Sequence, residues 1–132
     1  MTTPRPPIPA ATELLAKAIV DSAIAVHREL GPGLLESVYE QCLCHELAQR
    51  DVPWRSQVTL PIVYKGLRLE SGLRLDLLVG DAVVVEIKSV DALLPLHEAQ
   101  VLTYLRLSQR RLGLLINFNV RLLKDGIRRL VL

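Results

Sequence analysis

Leu75-Asp76-Leu77-Leu78-Val79-Gly80-Asp81-Ala82-Val83-Val84-Val85-Glu86-Ile87-Lys88 is the stretch on which the reading of this chain turns. Two apolar runs flank a Gly-Asp turn signal, the pattern of a β-hairpin. Side chains alternate faces along a strand, so Glu86 and Lys88 share one face while Val83, Val85 and Ile87 take the other. The loop length then sets the register. With only Gly80-Asp81 in the turn, Asp76 opposes Val85 and points away from Glu86. With the three-residue loop Gly80-Asp81-Ala82, Val79 pairs with Val83 and Asp76 falls opposite Glu86 on the same face. Gly-containing three-residue loops are common in hairpins, so the second register is reasonable. It sets two like charges against each other, and a cation between them is the obvious remedy.

Mg²⁺ suits that place. It takes hard oxygen ligands and is usually held by one or two carboxylates, here Asp76 and Glu86, with waters and substrate phosphate oxygens around them. Lys88, on the face of Glu86, can orient an attacking water or steady charge building up on phosphorus, while the metal lowers the pKa of bound water. A Glu and a Lys two apart are also what the wet face of any half-exposed strand looks like, so the pair needs support from elsewhere.

Support comes from two helical stretches. Pro95 to Gln109 reads as a helix in which Gln100 and Tyr104 stand four apart on one face, after His97 near its start. The order Asp, Glu-x-Lys, Gln-x-x-x-Tyr resembles that of the PD-(D/E)xK nuclease superfamily, in particular its RecB-like exonuclease branch. Upstream, Gly33-Leu34-Leu35-Glu36-Ser37-Val38-Tyr39 resembles the prokaryotic GxxExxY family of the same superfamily, as do Gly31-Pro32 before it and Leu114-Leu115-Ile116-Asn117-Phe118 near the end. The resemblance implies a restriction-endonuclease-like α/β core. Asp76 and Glu86 are then metal ligands, joined by the Ile87 backbone carbonyl, and Lys88 is the catalytic lysine. Glu36 reaches the metal directly or through water, and Gln100 and Tyr104 line the site and touch substrate. The cofactor it implies is Mg²⁺, with Mn²⁺ as a substitute. The superfamily's Pro before the Asp is Leu75 here.

The remaining helical pattern has simpler explanations beside the functional ones. Thr12 to Leu30 carries an apolar stripe of Leu15, Ile19, Ala23, Val26 and Leu30, with Thr12 as N-cap and Gly31-Pro32 as the stop. The next helix runs from about Leu34 to Arg50. Its Glu36 and Glu40 lie one turn apart where acids favour the helix dipole, which alone accounts for one of them. Two acids beside Tyr39 leave Glu40 and Tyr39 as supporting groups. His97 is a candidate general base or phosphate contact, or simply a helix-start residue. Cys42 and Cys44 point about 200° apart on a helix, so they neither chelate one zinc ion together nor bridge. Two free thiols and no secretory leader suggest the cytoplasm.

At 132 residues, 50% of them hydrophobic, the chain suits one α/β domain over residues 12–132 after a flexible Pro-rich arm, residues 1–11. No apolar run is long enough to cross a membrane. Trp54 to Tyr64 and Leu67 to Glu70 flank Lys65-Gly66 as a hairpin, and Ser71-Gly72 leads into the Asp76 strand. The all-apolar Leu112 to Phe118 reads as a central strand covered on both faces, and Ile127 to Leu132 as the last strand. The expected architecture is a mixed sheet with helices on its faces. From Arg106 onward there are seven basic residues, Arg106, Arg110, Arg111, Arg121, Lys124, Arg128 and Arg129, against one acid, Asp125. Such a segment suits a nucleic-acid backbone, DNA before RNA, as well as a merely solvated positive face. Aromatics are 4% of the chain, too few and too scattered for a base-stacking platform. The sequence therefore points to a metal-dependent nuclease, acting alone or as a homodimer or part of a larger complex. The alternative is a catalytically inactive nuclease-fold module that binds nucleic acid or protein.

Overall fold

The computed structural model describes residues 5–132, except the side chain of Ser71. Five strands form one mixed sheet in the order β1-β2-β3-β4-β5: β1 Trp54–Tyr64, β2 Leu67–Val79, β3 Val83–Lys88, β4 Leu112–Asn117 and β5 Ile127–Val131. Helices α1 (Ala10–Leu30) and α2 (Glu36–Gln49) cover one face, and α3 (Pro95–Ser108) covers the other. Strands β3 and β4 run parallel, as the crossover through α3 requires, while the other neighbours are antiparallel. This is the expected mixed α/β sheet with helices on both faces.

Every residue of β4 is buried. Leu112, Leu114 and Ile116 meet the α1/α2 core and Leu115 the α3 core, which is why the stretch reads as continuously apolar. Gly113 lies where a β-carbon would come within 2.8 Å of Val101, so its lack of a side chain lets α3 sit close on the sheet.

Boundaries differ from expectation in three places. Helix α1 begins at Ala10 with Pro9 at the N-cap position, two residues before Thr12. Pro tolerates helix entry because the first N–H groups have no intrahelical partner. Of the arm, residues 1–4 lie outside the described ones; Ile8 packs on the core, and Arg111 donates to the carbonyls of Pro6 and Pro7. Ser71-Gly72 does not end a strand, since β2 runs through it. The ladder with β1 is interrupted there all the same: Ile62 pairs with Leu69 and Leu60 with Leu73, so Glu70-Ser71-Gly72 bulge opposite Pro61 on the edge strand. A proline lacks the donor a ladder needs, and an edge or a bulge is where a sheet accepts one.

Candidate active site

The Gly80-Asp81-Ala82 loop sets the register that brings the site together. Val79 pairs with Val83, Leu78 with Val84 and Leu77 with Val85. The ladder stops there, and the Ile87 N–H donates instead to Asp76 Oδ2 at 2.8 Å. The Asp76 carboxylate thus fills the fork where β2 parts from β3.

The fork has a second cause on the other side of β2. Trp54, Leu77 and Val79 pack with the α1/α2 core, whereas Val58, Leu60, Leu73 and Leu75 pack with the α3 core. The inward and outward alternation of both strands is therefore broken between Ser56↔Leu77 and Val58↔Leu75, where Gln57 and Asp76 stand across from each other. Gln57 has φ +52°, a left-handed conformation uncommon for a residue with a side chain. Its amide donates to Glu40 Oε1 at 2.7 Å. A cleft of ≈ 200 Å³ lined by Glu36, Glu40, Gln57, Asp76 and Ile87 results, on the α2 side of the fork.

Glu86 lies on the α3 side and is 6% exposed. Its Oε1 is 3.7 Å from Lys88 Nζ, and its Oε2 is buried without a hydrogen-bond partner. Burial first, then the nearby Asp76 charge, pushes its carboxyl up to about 8, against the pull of Lys88. Glu40 is raised as well, by burial and then by Asp76, with the Gln57 hydrogen bond opposing.

Lys88, His97, Gln100, Thr103 and Tyr104 line a larger cleft of ≈ 560 Å³ under α3. Burial, then the charges of Glu86 and Asp76, raises the Tyr104 hydroxyl, which interacts with Gln100 and remains a donor. His97 closes the first turn of α3: the Leu94 N–H donates to its Nδ1 at 3.0 Å, and its own N–H donates to the Leu94 carbonyl. The ring proton then sits on Nε2.

Not all of the expected residues reach the site. Tyr39 is fully buried, stacked on Phe118 with ring centroids 4.5 Å apart, and its hydroxyl donates to the Gly31 carbonyl and accepts from the Leu34 N–H. It clamps the loop that delivers Glu36 and does not line the cleft. Glu36 Oε1 accepts from the Ser89 N–H at 3.4 Å, and Ser89 Oγ donates to the Leu34 carbonyl. Arg110, Arg111 and Arg129 are engaged elsewhere, with Asp81, the Pro6 and Pro7 carbonyls, and Glu13. Burial, then Glu40, pushes the Cys44 thiol up to about 11, consistent with an inert thiol.

Sequence reasoning gave no role to Gln57, Ser89 or Asn117. Asn117 is 2% exposed and holds both the N–H and the carbonyl of Val90, fixing the segment that leaves Lys88. A polar residue ending an otherwise apolar strand was the available signal.

A sequence model described as the PD-(D/E)XK nuclease superfamily matches residues 13–130. The chain belongs to this superfamily. Comparison with curated proteins and with solved structures finds no match. The superfamily assignment makes the chain a nuclease-fold protein of the hydrolase type, and its members generally use divalent metal ions. Among the described residues, no three His, Cys, Asp or Glu side chains stand close enough to hold an ion together. The oxygen-only donor set, the unpartnered Glu86 Oε2 and the adjacent Asp76 nevertheless fit a hard cation, for which two carboxylates suffice.

Proposed function

We propose that this protein is a metal-dependent nuclease of the GxxExxY type that hydrolyses phosphodiester bonds of nucleic acid, DNA foremost, in the cytoplasm of a prokaryote. The observation that carries the reading is Glu86: a buried carboxylate with one oxygen unpartnered, beside Asp76 and 3.7 Å from Lys88. A buried carboxyl oxygen left without a hydrogen bond is costly, and a native fold keeps one where a ligand completes it.

Asp76 and Glu86 would hold Mg²⁺, or Mn²⁺ in its place, which when bound supplies a readily ionised water and polarises a phosphate oxygen. Glu36, held by Ser89 and lining the same cleft as Asp76, would accept a hydrogen bond from a water of that ion. Lys88 sets its ammonium between Glu86 and the α3 cleft, where charge develops on a phosphate. Gln100, the protonated Tyr104 and the His97 Nε2–H are the donors on that side, and they orient the strand by its polar edges. The GxxExxY stretch has a matching logic: Gly33 turns the chain with φ +99°, Tyr39 clamps the turn, and Glu36 is presented between them.

Calorimetric titration of Mn²⁺, with a short non-cleavable duplex present, tests the reading on the native chain and on Asp76→Asn. We expect one bound ion for the native chain and none for the variant. If the native chain binds no ion, the centre is not catalytic, and a nuclease-fold binding module is the reading that stands.

A further inference from the structure

The seven basic residues after Leu105 do not make one face. Arg110, Arg111 and Arg129 are occupied as described, and Arg128 is turned onto the carbonyls of Asp125 and Ile127. Arg121 and Lys124 take part in none of the ion pairs or side-chain hydrogen bonds formed among the described residues. Both sit on the β4–β5 connection, which leaves the sheet at the end where β3 delivers Lys88, since β3 and β4 run parallel.

Opposite them is the last turn of α1. His27, Arg28, Gly31, Pro32, Arg121 and Lys124 wall a cleft of ≈ 390 Å³ whose other walls are apolar, with no Asp or Glu among them. The cleft is built and not merely left between loops. His27 Nε2 bonds the Val120 carbonyl at 2.7 Å, joining α1 to the β4–β5 connection, and the Gly31 N–H closes on the His27 carbonyl. Three cations facing one cleft without an acid repel one another, and an anion between them relieves that repulsion.

The loop that forms one wall also reaches the catalytic end. Gly31 and Pro32 line the cleft, while the Leu34 carbonyl accepts from Ser89 Oγ at 2.6 Å beside Glu36. Only Gly33 separates Pro32 from Leu34, a span of at most about 7 Å. Successive nucleotides rise about 3.4 Å along a strand. We infer that this cleft is a second phosphate site, which holds a backbone phosphate of the same nucleic-acid strand a few nucleotides from the bond at Asp76, Glu86 and Lys88. The inference rests on the nuclease reading for the strand's path, and on the cleft alone for its anion.

The test is fluorescence anisotropy of labelled single-stranded and duplex oligonucleotides over a salt series, with the full chain carrying Asp76→Asn to leave the strand uncut. Adding Arg121→Gln and Lys124→Gln should weaken binding about tenfold at low salt. It should also flatten the plot of log K against log salt by roughly 0.9 for duplex, the value for one lost phosphate contact. Lys17→Gln with Arg50→Gln removes the same charge outside the cleft and should leave the slope unchanged. Equal effects of the two pairs overturn the inference. So does displacement of the oligonucleotide by inorganic phosphate or a mononucleotide at equal phosphate concentration, which marks a small-anion pocket. Calorimetry with Mn²⁺ on Arg121→Gln/Lys124→Gln, without the Asp76 change, separates the two readings. Retained metal binding with a flattened slope supports both, and a flattened slope in a chain whose native form binds no metal leaves the cleft standing while the catalytic reading falls.

Discussion

Glu86 shows how a single residue links the site to the stability of the fold. Its carboxyl ordinarily titrates near 4.5 and is pushed up to about 8, with burial the first cause and Asp76 the second. The folded chain therefore binds this proton more tightly than the unfolded chain. The stability so gained is fully present below pH 4.5 and is lost as pH rises through 8. At about 1.4 kcal/mol for each pH unit, the loss amounts to a few kcal/mol. In chelator, the melting temperature should fall steadily between pH 5 and pH 8, and Mn²⁺ should restore it at the alkaline end. Glu86→Gln, which cannot ionise, should flatten the profile and melt higher than the native chain at pH 8. Parallel profiles for the two proteins would show that Glu86 is not the group responsible. Asp76 has a double duty of its own, since it also satisfies the Ile87 N–H. Asp76→Ala leaves that donor unpaired at about 1–3 kcal/mol, whereas Asp76→Asn keeps an acceptor, so the amide is the variant that separates metal loss from misfolding.

At the scale of elements, the loop before α2 is built around a tyrosine. The Tyr39 hydroxyl serves two backbone groups, the Gly31 carbonyl and the Leu34 N–H, from a fully buried position. Tyr39→Phe keeps the stack on Phe118 but leaves both groups unserved, so chemical denaturation should show a loss of about 1–3 kcal/mol. Mn²⁺ affinity should change little, because Asp76 and Glu86 stand on strands held by their own ladders; a large loss would place Glu36 among the direct ligands. Tyr39 also marks a limit on what sequence could reveal. Its spacing from Glu36 was legible, but a tyrosine at that spacing can line a site or pack beneath it, and only the position of Phe118 decides. The hairpin register was legible because counting Gly80-Asp81-Ala82 is enough to pair Val79 with Val83 and, from there, Leu77 with Val85. The break in alternation at Gln57 and Asp76 was not. Strand β2 is apolar on both faces around that point, with Leu73 and Leu75 on one and Leu77 and Val79 on the other, so periodicity carries no mark of the switch. The Ser71-Gly72 pair marked a real interruption of the pairing with β1, although it takes the form of a bulge within one strand and not of a turn between two.

Across the whole molecule the two ends of the sheet have different work. The end where β3 and β4 finish carries Glu86, Lys88, the N-terminus of α2 and the cleft between α1 and the β4–β5 connection. The other end carries the β2–β3 turn, and there the basic residues serve the fold. Arg110 donates to the Asp81 carbonyl at 2.8 Å, to Asp81 Oδ1 and to the Ser108 carbonyl, tying the turn to the end of α3. The hydrogen bond from Arg110, and then its charge, also hold the Asp81 carboxyl below its usual range. Summed along the sequence, Arg110 counts toward a basic segment; placed in the fold, it is a structural tie far from Lys88. Arg110→Ala should accordingly lower the melting temperature by a few degrees, as expected for a modest loss in a chain of this size. Its effect should shrink below the pH range in which Asp81 is ionised, because a protonated Asp81 no longer pairs with it. Oligonucleotide affinity and its salt dependence should stay at native values, in contrast to the pair Arg121→Gln and Lys124→Gln. Should Arg110→Ala flatten the salt dependence as much as that pair does, the positive charge acts as one continuous field along the C-terminal segment, and the division of labour between the two ends of the sheet is wrong.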